Sequence, residues 1–242
     1  MLYYNPTPQE LPFLIDDILK SPHTLIGGTT GSGKSVLLNS IIYGFLCNYG
    51  VNNRLYLIDP KRVELSIFKG LPHVQRYTHD TEQALKILDE LIYIINFRYA
   101  EMEKDGIRQY NGTHIYCIID ELADILISPQ SKIFKLKLQK ILQIARACNI
   151  HIIACTQAPN RQIIPANLIL NFTNRVALRC LSSIESKQIC NFSGAEKLPQ
   201  YGQGYYLSPK SGLQLVQIPF TSDEKMNAML QAWTNGKMLV NN

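Results

Sequence analysis

An α/β fold, with a mainly parallel sheet flanked by helices and a hairpin and helix at the C-terminal end, is what this sequence predicts. Three observations carry the prediction. Short apolar runs alternate with longer amphipathic stretches from about residue 23 to 180, the pattern of strands crossed over by helices. A glycine-rich stretch, Gly27-Gly-Thr-Thr-Gly-Ser-Gly-Lys-Ser35, joins the first apolar run to the first helical one. A later apolar run ends in two adjacent carboxylates, Asp120 and Glu121.

The elements follow in order. His23-Thr-Leu-Ile-Gly27 reads as a buried strand and Val36 to Tyr43 as a helix. Arg54 to Asp59 is a second strand. Thr81 to Lys104 carries Ala84, Leu85, Leu88, Leu91, Ile92 and Ile95 at three-to-four spacing, which predicts an amphipathic helix. Thr113 to Asp120 is a third strand, Ser131 to Cys148 a helix with a lysine-rich outer face, and Ile150 to Cys155 a fourth strand. Arg175 to Cys180 is a fifth. Gly204–Leu207 and Leu213–Gln217 bracket Ser208-Pro-Lys-Ser-Gly212 as a hairpin, and a closing helix runs from Ser222 to about Trp233. The absence of repeats, low-complexity tracts and long linkers predicts one domain over residues 1–242, with 1–20 a lead-in and 21–235 the core.

The bulk properties narrow the class. The 242 residues suffice for one large core, and 46% hydrophobic with 18% charged residues is ordinary for a globular chain. The net charge of +5 is compatible with a polyanionic partner without demanding one. No apolar run reaches the ~20 residues of a membrane span, and the N-terminus lacks the charged start of a signal peptide. A cytoplasmic protein is expected. The 6 cysteines form no C-x-x-C pair and have no zinc-like histidine spacing, so free thiols are expected.

Gly28, Gly33, Lys34 and Ser35 satisfy the G-x-x-x-x-G-K-[ST] pattern of a phosphate-binding loop. Its backbone, Gly28, Thr29, Thr30, Gly31, Ser32, Gly33, Lys34, Ser35 and Val36, would cradle ATP, with the following helix N-terminus adding partial positive charge. Lys34 would reach the β- and γ-phosphates. Ser35 would ligate Mg²⁺, with Asp120 holding the rest of the metal shell. Glu121, beside Asp120 at a strand end, suits a general base for the attacking water. Gln157, ending the next strand, suits contact with both the γ-phosphate and that water; the alternative is a strand-end residue that caps the following turn.

Taken together, the chain resembles the motor domain of the FtsK/SpoIIIE family of ring-forming double-stranded DNA translocases. The matching residues include Pro22 to Asn39, Asp59-Pro-Lys-Arg-Val-Glu-Leu65, Leu71-Pro-His73, Ile119-Asp-Glu-Leu-Ala-Asp124, Ala145-Arg-Ala-Cys-Asn-Ile-His151, Ala154-Cys-Thr-Gln157 and Gly194-Ala-Glu-Lys-Leu198. They cover roughly residues 13–233. The resemblance implies a RecA-like fold, ATP hydrolysis coupled to movement of duplex DNA, and a homo-oligomeric, hexameric ring. It implies that Arg175 reaches a neighbouring subunit's nucleotide, although an arginine opening a buried strand equally suits a helix-capping or salt-bridge residue. It also implies that Lys187, in a loop, and Lys210, in the hairpin turn, follow the DNA backbone, although lysines on exposed turns are commonly just solvated.

This sequence departs from the family pattern in two ways. The family's Thr-Gln-Arg-Pro stretch is Thr156-Gln-Ala-Pro159, with Arg161 two places on. Membrane-spanning and winged-helix segments are not part of the sequence. A motor core of this kind suits a plasmid, phage or integrative element, with a relaxase, replication or packaging protein as partner. Two other functions share the motifs: a type VII protein-secretion motor, and a nucleotide-dependent adaptor in DNA processing that does not translocate.

Overall fold

The computed structural model describes residues 12–48, 53–157 and 159–234. The first eleven residues of the expected lead-in, and residues 49–52, 158 and 235 of the expected core, lie outside the described residues. The helices are α1 (Phe13–Lys20), α2 (Lys34–Asn48), α3 (Thr81–Asp105), α4 (Leu122–Leu126), α5 (Ser131–Ile144), α6 (Ala166–Ile169), α7 (Ser183–Cys190) and α8 (Asp223–Thr234). The strands are β1 (His23–Gly27), β2 (Arg54–Ile58), β3 (Val74–Thr78), β4 (Ile115–Ile119), β5 (Ile150–Thr156), β6 (Asn174–Ala177), β7 (Gln203–Ser208) and β8 (Gly212–Gln217).

The strands form one sheet in the order β3-β2-β4-β5-β1-β6-β7-β8. Pairings from β3 through β6 are parallel, and β7 and β8 add an antiparallel hairpin. The alternation of side chains along each strand divides the core in two. Tyr56 and Ile58 of β2, with Cys117 and Ile119 of β4, pack under Leu88, Leu91 and Ile95 of α3 and Phe134, Leu138 and Ile141 of α5. Leu55 and Leu57, with Tyr116 and Ile118, face the other way onto Leu37, Ile41 and Phe45 of α2, together with α1 and α8. Strands β1, β4 and β5 are buried along their whole length, as a parallel sheet covered on both faces requires.

Five elements differ from the expectations, two of them the short helices α4 and α6, which have no counterpart there. Residues 13–20 of the lead-in form α1, whose Leu14, Ile15, Ile18 and Leu19 are buried against the sheet. Val74–Thr78 pairs with β2 as an edge strand, half polar because only one long side of it is covered. Ser182–Lys187, expected as a loop, begins α7, with the Ser182 side chain accepting from the Glu185 backbone N–H at 3.3 Å. All 6 cysteines are free thiols, and five of them are buried.

Candidate nucleotide and hydrolysis site

The order β4-β5-β1 sets three strand ends side by side, and each delivers part of the site. The loop after β1 carries the phosphate-binding residues, Asp120 and Glu121 follow β4, and Gln157 follows β5. This is the carboxyl edge of the sheet, where open α/β folds bind their ligands.

The loop is held at both sides. The Gly28 N–H donates to the Thr156 carbonyl at 3.2 Å, and the Thr29 N–H donates to the Arg179 carbonyl at 2.9 Å. Glycine is required at Gly28, where a Cβ would lie 2.6 Å from Ser32 Oγ and 2.9 Å from Leu178 Cβ. It is required at Gly33 for another reason: φ is +97°, a conformation that only glycine adopts readily. The chain then enters α2, whose first-turn N–H groups face the loop. Thr30 and Gly31 are exposed, Thr29 and Val36 are half-buried, and Ser32 is buried with its Oγ unpartnered.

Lys34 is 8% exposed and its Nζ donates to the carbonyls of Gly28 and Thr29 at 2.6 and 2.9 Å. The ammonium therefore spans the cradle. Burial lowers its pKa, against the opposing pull of the charges of Cys155, Glu121 and Asp120.

Opposite it lie four carboxylates: Asp59, Glu64, Asp120 and Glu121. Asp120 is pushed up to about 7, by burial first and then by the charges of Asp59, Glu64 and Glu121, with Lys61 working the other way. Glu121 is 2% exposed; both its oxygens accept from the Gln157 backbone N–H, at 3.0 and 3.2 Å. Lys61 Nζ lies 3.4 Å from Glu121 Oε2 and 3.8 Å from Asp124 Oδ2. The Gln157 side chain accepts from Thr30 Oγ1 at 2.8 Å, joining the phosphate loop to β5. Ser35 Oγ donates to Glu64 Oε1 at 2.6 Å.

This donor set fits a magnesium nucleotide. Hydroxyl and carboxylate oxygens suit a hard divalent cation, and the unpartnered Ser32 Oγ and Asp59 Oδ1 are buried polar atoms at the site. No group of three or more His, Cys, Asp or Glu among the described residues could hold a metal ion alone. Magnesium typically takes one or two carboxylates and completes its shell with substrate phosphates and water.

The other predicted residues are not brought into this cluster. Arg175 is 8% exposed, with Nε donating to the Phe172 carbonyl at 3.1 Å and Nη1 to the Ile189 carbonyl at 3.2 Å. Within one chain the guanidinium makes these local bonds, and its reach to a neighbouring subunit's nucleotide stays a proposal. Residue 175 lies on β6, between β1 and β7 and in contact with α7, so these bonds tie β6 to α7 and to the segment before the strand. Lys187 is exposed on the last turn of α7, not in a loop, and Lys210 is exposed in the turn between β7 and β8. Lys61 and Glu64 were not anticipated as site residues. Their signal was the stretch Asp59–Leu65 directly after a buried strand.

A phosphate loop on the first strand, a carboxylate pair on its second neighbour and a glutamine between them define a P-loop ATPase domain. The sequence profile of the FtsK/SpoIIIE family matches residues 11–189, and the chain belongs to that family. It is 32% identical over 258 residues to the DNA translocase FtsK of Pseudomonas syringae pv. tomato, covering 91% of this chain and 32% of that protein. The chain thus spans about a third of the length of the curated relatives it matches. The pCW3 conjugation coupling protein TcpA with ATPγS superposes with a TM-score of 0.77 at 24% identity, over 89% of this chain and 66% of that one. The cytoplasmic domain of the type VII secretion ATPase EccC of Thermomonospora curvata gives 0.71 at 20% identity, over 88% and 28%. These two likenesses concern the fold. Among the described residues no helix is long and apolar enough to cross a membrane.

Proposed function

We propose that residues 1–242 form one cytoplasmic motor domain that hydrolyses ATP to drive duplex DNA through a homo-oligomeric, hexameric ring, in the service of a plasmid, phage or integrative element. The observation that carries this reading is the convergence of Lys34, Ser35, Asp120, Glu121 and Gln157 at one sheet edge in a chain of the FtsK/SpoIIIE family. Lys34, now on two loop carbonyls, would turn to phosphate oxygens, and Ser35 with Asp120 would hold Mg²⁺. The bound cation would neutralise charge on the phosphates. Glu121 takes the proton of the attacking water, and Gln157 links that event to the phosphate loop through Thr30. Lys187 and Lys210 supply sequence-indifferent contacts to DNA phosphates. A relaxase, replication or packaging protein is the partner to expect beside it.

The test is ATP turnover with and without duplex DNA at low salt, in the wild type and in Lys34→Ala. Duplex-stimulated turnover that is lost in the variant supports the reading. Robust turnover indifferent to duplex DNA overturns it. The fold likeness to a type VII secretion ATPase favours a second reading, with a polypeptide as cargo. Turnover stimulated by a co-purified protein, with none from DNA, would establish that reading instead.

A further inference from the structure

The segment after β2 is built to hold two polar side chains against the nucleotide site. Asp59 is fully buried; its carbonyl accepts from the Arg62 N–H at 3.1 Å and its Oδ2 from the Leu65 N–H at 3.0 Å. Arg62 takes the left-handed conformation at φ 60°, which costs a non-glycine residue about 1 kcal/mol. Leu65 is fully buried and anchors the far end of the segment. A strained turn held in place by a buried carboxylate is the kind of backbone feature that gathers at functional sites.

From this turn Lys61 reaches Glu121, and Glu64 reaches Ser35 across 29 residues of chain. The second contact has a chemical consequence. A hydroxyl has one proton and two lone pairs. With its proton directed at Glu64 Oε1, Ser35 Oγ keeps its lone pairs for another partner. A nearby carboxylate that accepts the proton also makes the oxygen a better donor to a cation. Asp59 Oδ1, buried and unpartnered in the same segment, shows that the polar capacity here exceeds what the protein itself satisfies.

We propose that Glu64 is a positioning residue for the metal end of the nucleotide site: it takes the Ser35 hydroxyl proton and so aims that oxygen's lone pairs at a divalent cation. The inference rests on the reading that this site binds a magnesium nucleotide. Asp120 remains the carboxylate of the metal shell, and Glu64 acts through Ser35. The arrangement persists with metal bound, because proton donation and lone-pair ligation use different parts of the same oxygen.

The experiment measures binding of a fluorescent ATP analogue to the full chain as Mg²⁺ is titrated, and again in EDTA. The variants are Glu64→Ala, Glu64→Gln, Ser35→Ala and the Ser35→Ala/Glu64→Ala double variant. Loss of an outer-shell partner typically costs about 10- to 100-fold in metal affinity. Glu64→Ala is expected to raise half-saturating Mg²⁺ by at least about tenfold, with affinity in EDTA unchanged. The double variant is expected to match Ser35→Ala alone, because the two residues act as one unit. Glu64→Gln keeps an acceptor of the same shape and loses the charge, so its expected shift is smaller, and it serves if the alanine variant does not fold. No Mg²⁺ shift in either Glu64 variant overturns the inference, as does a double variant in which the two shifts add in full. A wild type that binds the analogue in neither buffer overturns the reading of the site as well.

Discussion

The backbone N–H of Gln157 donates to both carboxylate oxygens of Glu121, at 3.0 and 3.2 Å, so the end of β5 holds the carboxylate that follows β4. One donor shared by two acceptors fixes the plane of the carboxylate; Lys61 Nζ also reaches Oε2 at 3.4 Å, so Oε1 is the oxygen that keeps a further lone pair. The same glutamine receives the Thr30 hydroxyl through its side chain. A change at the phosphate loop is therefore one hydrogen bond from the end of β5 and two from Glu121.

Glu121→Gln tests this assignment. The amide keeps one oxygen to accept from Gln157 and cannot take a proton from water. Nucleotide affinity is expected to stay near wild type while turnover falls by about 10²- to 10⁴-fold, the usual contribution of a general base. Equilibrium binding beside steady-state turnover reads both quantities. Turnover within a factor of about ten of wild type would assign the base elsewhere.

Arg175→Ala separates a local tie from a reach between subunits. Removing the guanidinium leaves the Phe172 and Ile189 carbonyls without that donor inside the protein. Bonds to charged groups contribute about 1.5–3 kcal/mol each, so losing the two is expected to cost roughly 3–6 kcal/mol. The melting temperature of the nucleotide-free, monomeric chain reads this loss. A variant that melts with the wild type and loses only assembly-dependent turnover would return Arg175 to the role implied by resemblance.

Lys187 and Lys210 make a separable prediction. If each neutralises one DNA phosphate, replacing either with alanine lowers the slope of log affinity against log salt by about 1 and weakens all duplex sequences alike. Fluorescence anisotropy with two unrelated duplexes over a salt series measures this. An unchanged slope in both variants would place the DNA on another surface.

The sequence shows most clearly what depends on neighbours along the chain. The phosphate loop and Asp120–Glu121 are legible because a local pattern and a strand end suffice to place them. α7 was also legible and was read as a loop: Ser182 and Glu185 stand at capping-box spacing, and Glu185 Oε2 reaches back to the Leu181 N–H at 2.8 Å. β3 hides because an edge strand alternates poorly, its Gln75 and Arg76 both being exposed. Arg175 could not be judged from its place at a strand start, since its burial depends on β7 and α7, which come later in the chain. Glu64 is the clearest example. Its contact with Ser35 needs β2 in its place in the sheet, which no spacing reveals.

Acid should destabilise this fold through three buried histidines. His23 accepts the Ile152 N–H at its Nδ1, at 3.1 Å, and burial, reinforced by the His151 charge, lowers its pKa from 6.5 to about 3. His151 is lowered to about 4, by burial above all, and His73 to about 4 by burial and then by the Arg54 charge. All three stay neutral in the folded protein while the unfolded chain takes up protons below about 6.5, so the unfolded state binds more protons throughout that window. Their contribution is complete above pH 6.5 and is lost as pH falls toward 4 and below. At pH 5 the loss is about 2 kcal/mol for each histidine. His73 offers the cleanest test, because neither ring nitrogen has a hydrogen-bond partner and its ring sits edge-on to Phe45 and Trp233, at 5.5 and 4.4 Å. In His73→Phe a ring of similar shape fills the same place without titrating. Urea unfolding at a series of pH values is expected to show the variant gaining on the wild type from pH 6.5 downward, by about 2 kcal/mol at pH 5. Parallel curves would mean that His73 charges in the folded protein as readily as in the unfolded chain.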